Sequence, residues 1–161
     1  MEELKIEYLP VNSLTPYENN AKIHEDYDID AICESIKKFG FNDAIGIWGK
    51  DNIIVEGHGR YLACKRLGIT LVPCVRLDHL TDEERKAYAL AHNKTAELSN
   101  WNWDLLKSEL EELTEEVDMA LFGFKINDDE IINDDKDFEL QEKENHEKEI
   151  ECPYCGKTIL L

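Results

Sequence analysis

The chain has 161 residues, with 36 acidic against 18 basic side chains and a formal net charge of −18. This length allows one domain of ordinary size with a core and a tail, and the charge argues against wrapping duplex DNA, because such binding relies on a basic face. No stretch approaches the roughly 18 uninterrupted apolar residues of a membrane span, and the acidic start lacks the features of a secretory signal, so we expect a cytoplasmic protein without a membrane partner.

The first half of the chain is predicted to form a strand, a helix and a hairpin. Residues 4–9 alternate apolar and polar side chains, which is typical of a strand. Residues 27–39 have the apolar spacing of an amphipathic helix, and Gly40 ends it. Residues 44–48 and 53–55 are β-branched or apolar runs on either side of a short turn, which predicts a hairpin.

The hairpin is predicted to be followed by a helix, a strand and a second helix. A short helix over residues 61–67 leads to a strand at 71–77, in which Pro73 indicates an edge or bulge position. The sequence from Thr81 to Glu84 is a capping box that begins another helix. Strands and helices in this order predict an α/β (α+β) fold, a small mixed sheet with packed helices.

Composition divides the chain into four predicted segments. A compact domain is expected to be followed by a helical extension packed on it, with a short apolar piece at 121–124 that docks on the core. An acidic linker poor in apolar residues comes next, and a cysteine-containing tail ends the chain. The predicted boundaries are 1–98, 99–126, 127–149 and 150–161.

The link between the second hairpin strand and the helix at 61–67 has the sequence Glu56-Gly57-His58-Gly59-Arg60. Its two glycines let the backbone approach a ligand, and the unpaired N–H groups of the following helix point to the same place. Arg60 adds a planar fork of donors that suits a phosphate. The alternative is that this glycine-rich stretch is only a tight corner.

Two further polar stretches carry candidate binding residues. Asn20, Lys22 and His24 alternate with apolar residues and are able to face one way, or they belong to an ordinary polar surface loop. Asn93 and Lys94 lie at or after the end of the helix that begins at the capping box. The helix dipole alone also explains a lysine near a helix C-terminus.

The cysteines fall into two groups. Cys33, Cys64 and Cys74 lie in apolar segments and are expected to behave as small hydrophobic residues without disulfides. Cys152 and Cys155, with a proline and a glycine beside them, resemble half of a zinc site. Two more ligands are needed, which His146, a second copy of the chain or a partner can supply; a redox-active or inert cysteine pair is the alternative.

Three segments, 16–24, 56–63 and 91–97, together resemble the ParB/sulfiredoxin-like (ParB-like nuclease) superfamily. They are most similar to its phage and mobile-element branch, which is associated with DNA methyltransferases. The resemblance covers about residues 4–125. It implies a nucleoside-triphosphate-binding domain that acts in DNA-associated processes, with DNA, a DNA methyltransferase or a second copy in a homodimer as partners.

The resemblance also assigns roles within the glycine-rich stretch. In chromosome-partition members a Gly-Glu-Arg-Arg turn and a later asparagine-containing motif hold the triphosphate of CTP with magnesium, which implies such roles for Gly57, Arg60 and Asn93. His58 and Gly59 replace the glutamate and the first arginine of that turn. The nucleotide is therefore left open between CTP and ATP. His58 also stands where sulfiredoxins have their catalytic cysteine, so peroxiredoxin repair is not expected.

Three functional hypotheses follow. In the first, the chain is a nucleotide-controlled binding module for DNA modification or phage machinery. In the second, it is a magnesium-dependent enzyme (an NTPase, a DNA nuclease or a small-molecule kinase) with Glu56 as the catalytic candidate. In the third, it is a DNA mimic that acts through the acidic residues 127–149. The predicted nucleotide-binding residues are Asn20, Lys22, His24, Gly57, His58, Gly59, Arg60, Asn93 and Lys94.

Overall fold

The computed structural model describes residues 4–113, 116–126, 131–132, 149–151 and 158–160. The chain divides into two compact units, Met1–Ile131 and Ile132–Leu161. None of the helices among the described residues has the length and apolar character needed to cross a membrane.

The first unit contains a small sheet and four helices. In chain order its main elements are β1 (Ile6–Pro10), α1 (Asp26–Phe39), β2 (Ile45–Trp48), β3 (Ile53–Glu56), α2 (His58–Leu67), β4 (Leu71–Arg76), α3 (Asp82–Ala96) and α4 (Trp103–Leu113). The two-residue strand β5 (Lys125–Ile126) follows, and β6 (Ile131–Ile132) consists of the last residue of the first unit and the first residue of the second. In the second unit, β7 (Glu149–Glu151) pairs antiparallel with β8 (Thr158–Leu160).

The main sheet is mixed, as predicted, with the strand order β1-β4-β2-β3. β4 pairs antiparallel with β1 and parallel with β2, and β2 pairs antiparallel with β3. The expected edge or bulge position for Pro73 is wrong, because β4 lies inside the sheet and its register with β1 runs without a shift through Pro73. Pro73 is paired with Tyr8 of β1, whereas the pairing with β2 starts one residue later, at Cys74. A missing N–H is tolerated where the ladder to one neighbour has not yet begun.

The core lies between the sheet and the first two helices. Ile45, Ile47, Ile54 and Val72 from three strands are fully buried, and Tyr61 of α2 packs in the same cluster. A second cluster, formed by Ile29, Cys33 and Ala63, joins α1 to α2. Burial raises the pKa of the Cys64 and Cys74 thiols to about 11, so these residues act as apolar filling.

Two helices differ in length from the prediction. α2 starts at His58, three residues earlier than expected, because Gly57 with φ +86° turns the chain within a single residue. α3 continues to Ala96, so the polar stretch around Asn93 is helical. Its start is as predicted: Thr81 accepts from the Glu84 N–H, and the Glu84 side chain accepts from the Thr81 N–H.

The segment after α3 lies against the first helix. A short 3-10 turn spans Met119–Phe122, and the rings of Phe39 and Phe122 are 5.4 Å apart. Trp101 contacts Phe124 edge to face at 6.0 Å. The apolar piece at 121–124 therefore contacts the C-terminal end of α1.

Candidate functional site

A cavity of about 430 Å³ lies where β3 passes into α2. The loop before α1, the helix α1 and the loop after it, the β3–α2 junction and α3 all contribute to its wall. The structure brings together most of the predicted site. The predicted residues that line the cavity are Asn20, Lys22, His24, Glu56, Gly57, His58, Gly59, Arg60 and Asn93.

The positive end of a helix forms one side of this cavity. Gly57 is the N-cap of α2, and the first backbone bond of the helix runs from the Tyr61 N–H to the Gly57 carbonyl, at 2.9 Å. The N–H groups of residues 58–60 precede that bond and have no partner inside the helix. A helix end of this kind favours an anion through both its dipole and its donors.

Arg60 is held beside this helix end as a buried cation. Its guanidinium packs over Gly57, where an added Cβ would lie 2.9 Å from Nε. Its side chain is only 19% exposed and pairs with Asp43, which is 74% exposed. The Arg60 Nε is buried without a hydrogen-bond partner, and burial lowers the pKa of Arg60. A desolvated guanidinium whose ion-pair partner is mostly exposed suits an incoming phosphate.

His58, the first residue of α2, has a neutral imidazole ring. Its Nε2 accepts a hydrogen bond from the Tyr17 N–H at 3.3 Å, so the proton of the neutral ring is on Nδ1. Burial, reinforced by the nearby His24, lowers the pKa of His58. Burial also lowers the pKa of His24, with Asp28 opposing the shift and Lys22 adding to it.

These shifts predict that acid destabilises the fold. A buried histidine with a lowered pKa binds fewer protons folded than unfolded, so stability is full above the ordinary value of 6.5 and falls as the pH drops through that value. We expect denaturant unfolding to show a lower free energy of unfolding at about pH 5.5 than at about pH 7.5. His58→Gln should reduce this difference. His79→Gln, which changes an exposed histidine, should leave it as it is.

The loop before α1 is shaped by one of the predicted ligands. The Asn20 amide donates to the Lys22 carbonyl at 2.9 Å, and its oxygen accepts from the Lys22 N–H at 3.4 Å. Lys22 and Lys94 both pair with Glu97, at 3.0 and 3.2 Å, which lowers the pKa of that carboxyl. Lys94 does not line the cavity, and its contact with the site runs through Glu97, which also pairs with Lys22.

Glu56 ends β3 directly before Gly57, and its side chain faces α3. Its Oε2 lies 2.7 Å from His92 Nε2 and 3.4 Å from the Tyr88 hydroxyl. The Glu56 side chain is 14% exposed, and it lies across Gly46 of the neighbouring strand. Glu56 is thus fixed between the sheet and α3.

Among the cavity-lining residues that sequence reasoning missed, two are titratable, His92 and Asp43. His92 directly precedes the predicted residue Asn93 in the polar stretch, and this position was a usable signal for His92. The Asn93 side chain donates to the Ala89 carbonyl at 2.8 Å. Asp43 carried no such signal, because only the fold brings the loop after α1 to Arg60.

The described residues give limited information on the predicted metal sites. In the part of the chain whose side chains are described, no group of three or more histidine, cysteine, aspartate or glutamate residues is arranged to hold a metal ion. Cys152 and Cys155, the predicted zinc ligands, and His146 lie outside the described residues.

Comparison with known proteins gives one clear relative. No family model matches the chain. The ParB-like nuclease domain-containing protein YnaK of Escherichia coli strain K12 is 41% identical over 85 residues, which are 53% of this chain and 97% of that protein.

A solved ParB structure is similar in fold. The C-terminally truncated chromosome-partitioning protein ParB from Caulobacter crescentus, crystallised with CTP-γ-S, has a TM-score of 0.59 at 18% identity and covers 74% of this chain and 69% of that one. A sulfiredoxin from Arabidopsis thaliana has a TM-score of 0.44 at 19% identity, over 53% of this chain and 97% of that one. The predicted mixed α/β fold is confirmed.

Proposed function

The chain belongs to the family of ParB-like nuclease domain-containing proteins, and from this premise we propose that the cavity at the start of α2 binds a nucleoside triphosphate. The observation that carries the proposal is the convergence of free helix N–H groups with the buried guanidinium of Arg60. Both are donors that match phosphate oxygens.

The cavity combines donors with apolar lining, as a nucleotide site requires. Beside the donors of α2, the side chains of Ile32, Ile36 and Phe41 line the same cavity and offer apolar surface that suits a base. The volume of about 430 Å³ lies within the usual range for small-ligand pockets. The ParB structure with the same fold contains CTP-γ-S, which supports a nucleotide as ligand, with CTP and ATP as the candidates.

Magnesium fits this arrangement as a companion of the phosphates. Mg²⁺ is usually held by phosphate oxygens, water and one or two carboxylates, so it does not need a cluster of protein ligands. Asp43 lines the cavity next to Arg60 and is mostly exposed, so it is able to supply one carboxylate oxygen. The metal would offset phosphate charge that Arg60 alone cannot balance.

The wider role that we propose is control of a DNA-associated process by nucleotide binding. In that role the cytoplasmic chain, encoded by a phage or mobile element, serves as an adaptor with DNA, a DNA methyltransferase or a second copy as partner. The zinc site at Cys152 and Cys155 and the DNA-mimic role of residues 127–149 stay predictions, since those residues lie wholly or mostly outside the described ones.

A second candidate function is catalysis on the bound nucleotide. It is favoured by the position of Glu56, which lines the same cavity immediately before Gly57. An enclosed carboxylate beside a phosphate subsite is a typical place for acid–base chemistry.

Calorimetric titration of the full chain tests the binding proposal. We expect heat of binding with triphosphates in the presence of Mg²⁺, weaker binding of the matching diphosphate, and the weakest binding of the nucleoside, because most of the donors face phosphate. Comparing the four common triphosphates gives the base preference. If none of them binds, or if the nucleoside binds as tightly as the triphosphate, the proposal is wrong.

A further inference from the structure

A carboxylate, an imidazole and a phenol meet on the α3 side of the cavity, separate from the phosphate-binding groups of α2. His92 Nε2 is 2.7 Å from Glu56 Oε2, and the Tyr88 hydroxyl is 3.4 Å from the same oxygen. The rings of Tyr88 and His92 stack with centroids 5.7 Å apart and planes at 25°. Binding of phosphate alone makes no use of this cluster.

Glu56 is positioned by a gap in the neighbouring strand. Gly46 of β2 is its cross-strand partner, and a Cβ at that position would lie 2.5 Å from Glu56 Cγ. The glycine therefore lets the glutamate side chain lie across the sheet and reach α3. Burial, with a smaller effect from Glu56, raises the pKa of Tyr88, so its hydroxyl stays protonated and donates to the carboxylate.

The hydrogen bond to Glu56 determines which nitrogen of His92 is available. A carboxylate only accepts, so Nε2 of His92 carries the proton and Nδ1 of the neutral ring is an acceptor. A histidine with one nitrogen held by a carboxylate has the orientation of a general base. His92 lines the cavity and its side chain is 42% exposed, so ligand and water can reach it.

We propose that His92, oriented by Glu56, is a general base that removes the proton from an O–H nucleophile attacking the terminal phosphate of the bound nucleotide. This inference rests on the proposed nucleotide binding. His92 lines the same cavity as Gly57 and Arg60, so the base and the phosphate subsite share one space. His92 is then the catalytic residue and Glu56 a positioning residue that acts through it.

The step balances without a further reactant. The nucleophile oxygen forms a bond to the terminal phosphorus while its proton moves to His92 Nδ1. The bond from that phosphorus to the bridging oxygen breaks, and the leaving diphosphate keeps the electron pair. Water and a small alcohol lose the same proton in this step, so the geometry serves either nucleophile.

Phosphorus NMR of the products, with Mg²⁺ and the triphosphate that binds best, tests the assignment. Inorganic phosphate indicates attack by water, and a phosphate ester formed with glycerol as probe indicates attack by an alcohol. We expect His92→Ala to lower kcat by about a hundredfold, the scale of a lost general base. The Kd for nucleotide should stay nearly unchanged, and free imidazole should restore part of the rate through the open side of the cavity.

Two further readouts separate a base from a merely structural residue. The wild-type rate should fall on acidification, because a protonated imidazole cannot accept the proton, and this acid limb should be absent from the residual rate of His92→Ala. The pH profile also depends on the other titratable groups around His92, which are Tyr88, Glu56 and the cavity-lining His24, His58 and Lys22. Glu56→Gln should lower kcat more than it changes Kd. His79→Ala, a matched change at an exposed histidine, should match the wild-type protein.

The outcomes distinguish this inference from the binding proposal. If the wild-type protein binds triphosphate and never turns it over, the general-base assignment is wrong and the binding proposal stands. If no nucleotide binds, both are wrong. A His92→Ala protein with wild-type turnover, or one whose lost turnover imidazole does not restore, contradicts the assignment.

Discussion

Replacing Arg60 with glutamine should weaken triphosphate binding by about a hundredfold, which corresponds to roughly 3 kcal/mol. The change removes a charged donor beside the positive end of α2. Because this donor is already desolvated in the free protein, ligand binding adds little further desolvation cost. Titration calorimetry with and without Mg²⁺ measures the loss. The fold should remain, since the partner of Arg60 in the free protein is the mostly exposed Asp43.

The matched control is Arg66→Gln on the same helix. Arg66 also forms ion pairs, with Asp26 and Asp30, but it faces away from the cavity and its side chain is 40% exposed. We expect this variant to bind nucleotide as the wild-type protein does. Equal losses in the Arg60 and Arg66 variants would mean that net charge, and not the cavity, controls binding.

Replacing Arg85 with alanine should lower the free energy of unfolding by about 3 kcal/mol. The Arg85 guanidinium lies between two aromatic rings, 4.8 Å from the centroids of Tyr17 and Trp48, and its side chain is 7% exposed. It also pairs with Asp82 at 2.6 Å. Truncation leaves a gap between the rings and removes both cation–π contacts. Urea unfolding followed by tryptophan fluorescence measures the change.

Lys86→Ala is the control for this second prediction. Lys86 pairs with the same aspartate, but its side chain is 47% exposed, and such exposed pairs contribute about 0 to 1 kcal/mol. Arg85→Lys should recover little of the stability, because an ammonium group lacks the flat surface that stacks on both rings. An Arg85→Ala protein as stable as Lys86→Ala would show that the buried stack does not stabilise the fold.

The stack of Arg85 on Tyr17 and Trp48 also connects α3 with the start of α2. Arg85 belongs to α3, and Tyr17, on which it packs, donates its backbone N–H to His58 at the start of α2. Loss of the stack therefore disturbs the neutral histidine of the helix end as well as the fold. Local sequence pattern does not reveal such a connection, since an arginine on a helix is usually exposed.

The phosphate-binding turn was predictable because its features are local. Glycines around His58 followed by a helix, and an arginine in the first helical turn, describe a donor-rich helix end from neighbouring residues alone. The exact start of α2 was not predictable, because it depends on Gly57 adopting a positive φ. The interior place of Pro73 also depended on strands that are distant in sequence.

By itself, the sequence determined the type and order of the main helices and strands, the short motifs of the family resemblance and the glycine-rich turn, since apolar period, capping and short motifs are properties of neighbouring residues. Only the tertiary structure decided which partners surround that turn. Asp43 reaches Arg60, and His92 reaches Glu56, because α1 packs on α2 while α3 packs on β3. Contacts between residues far apart in the chain depend on the packing of whole elements, and no local pattern specifies them.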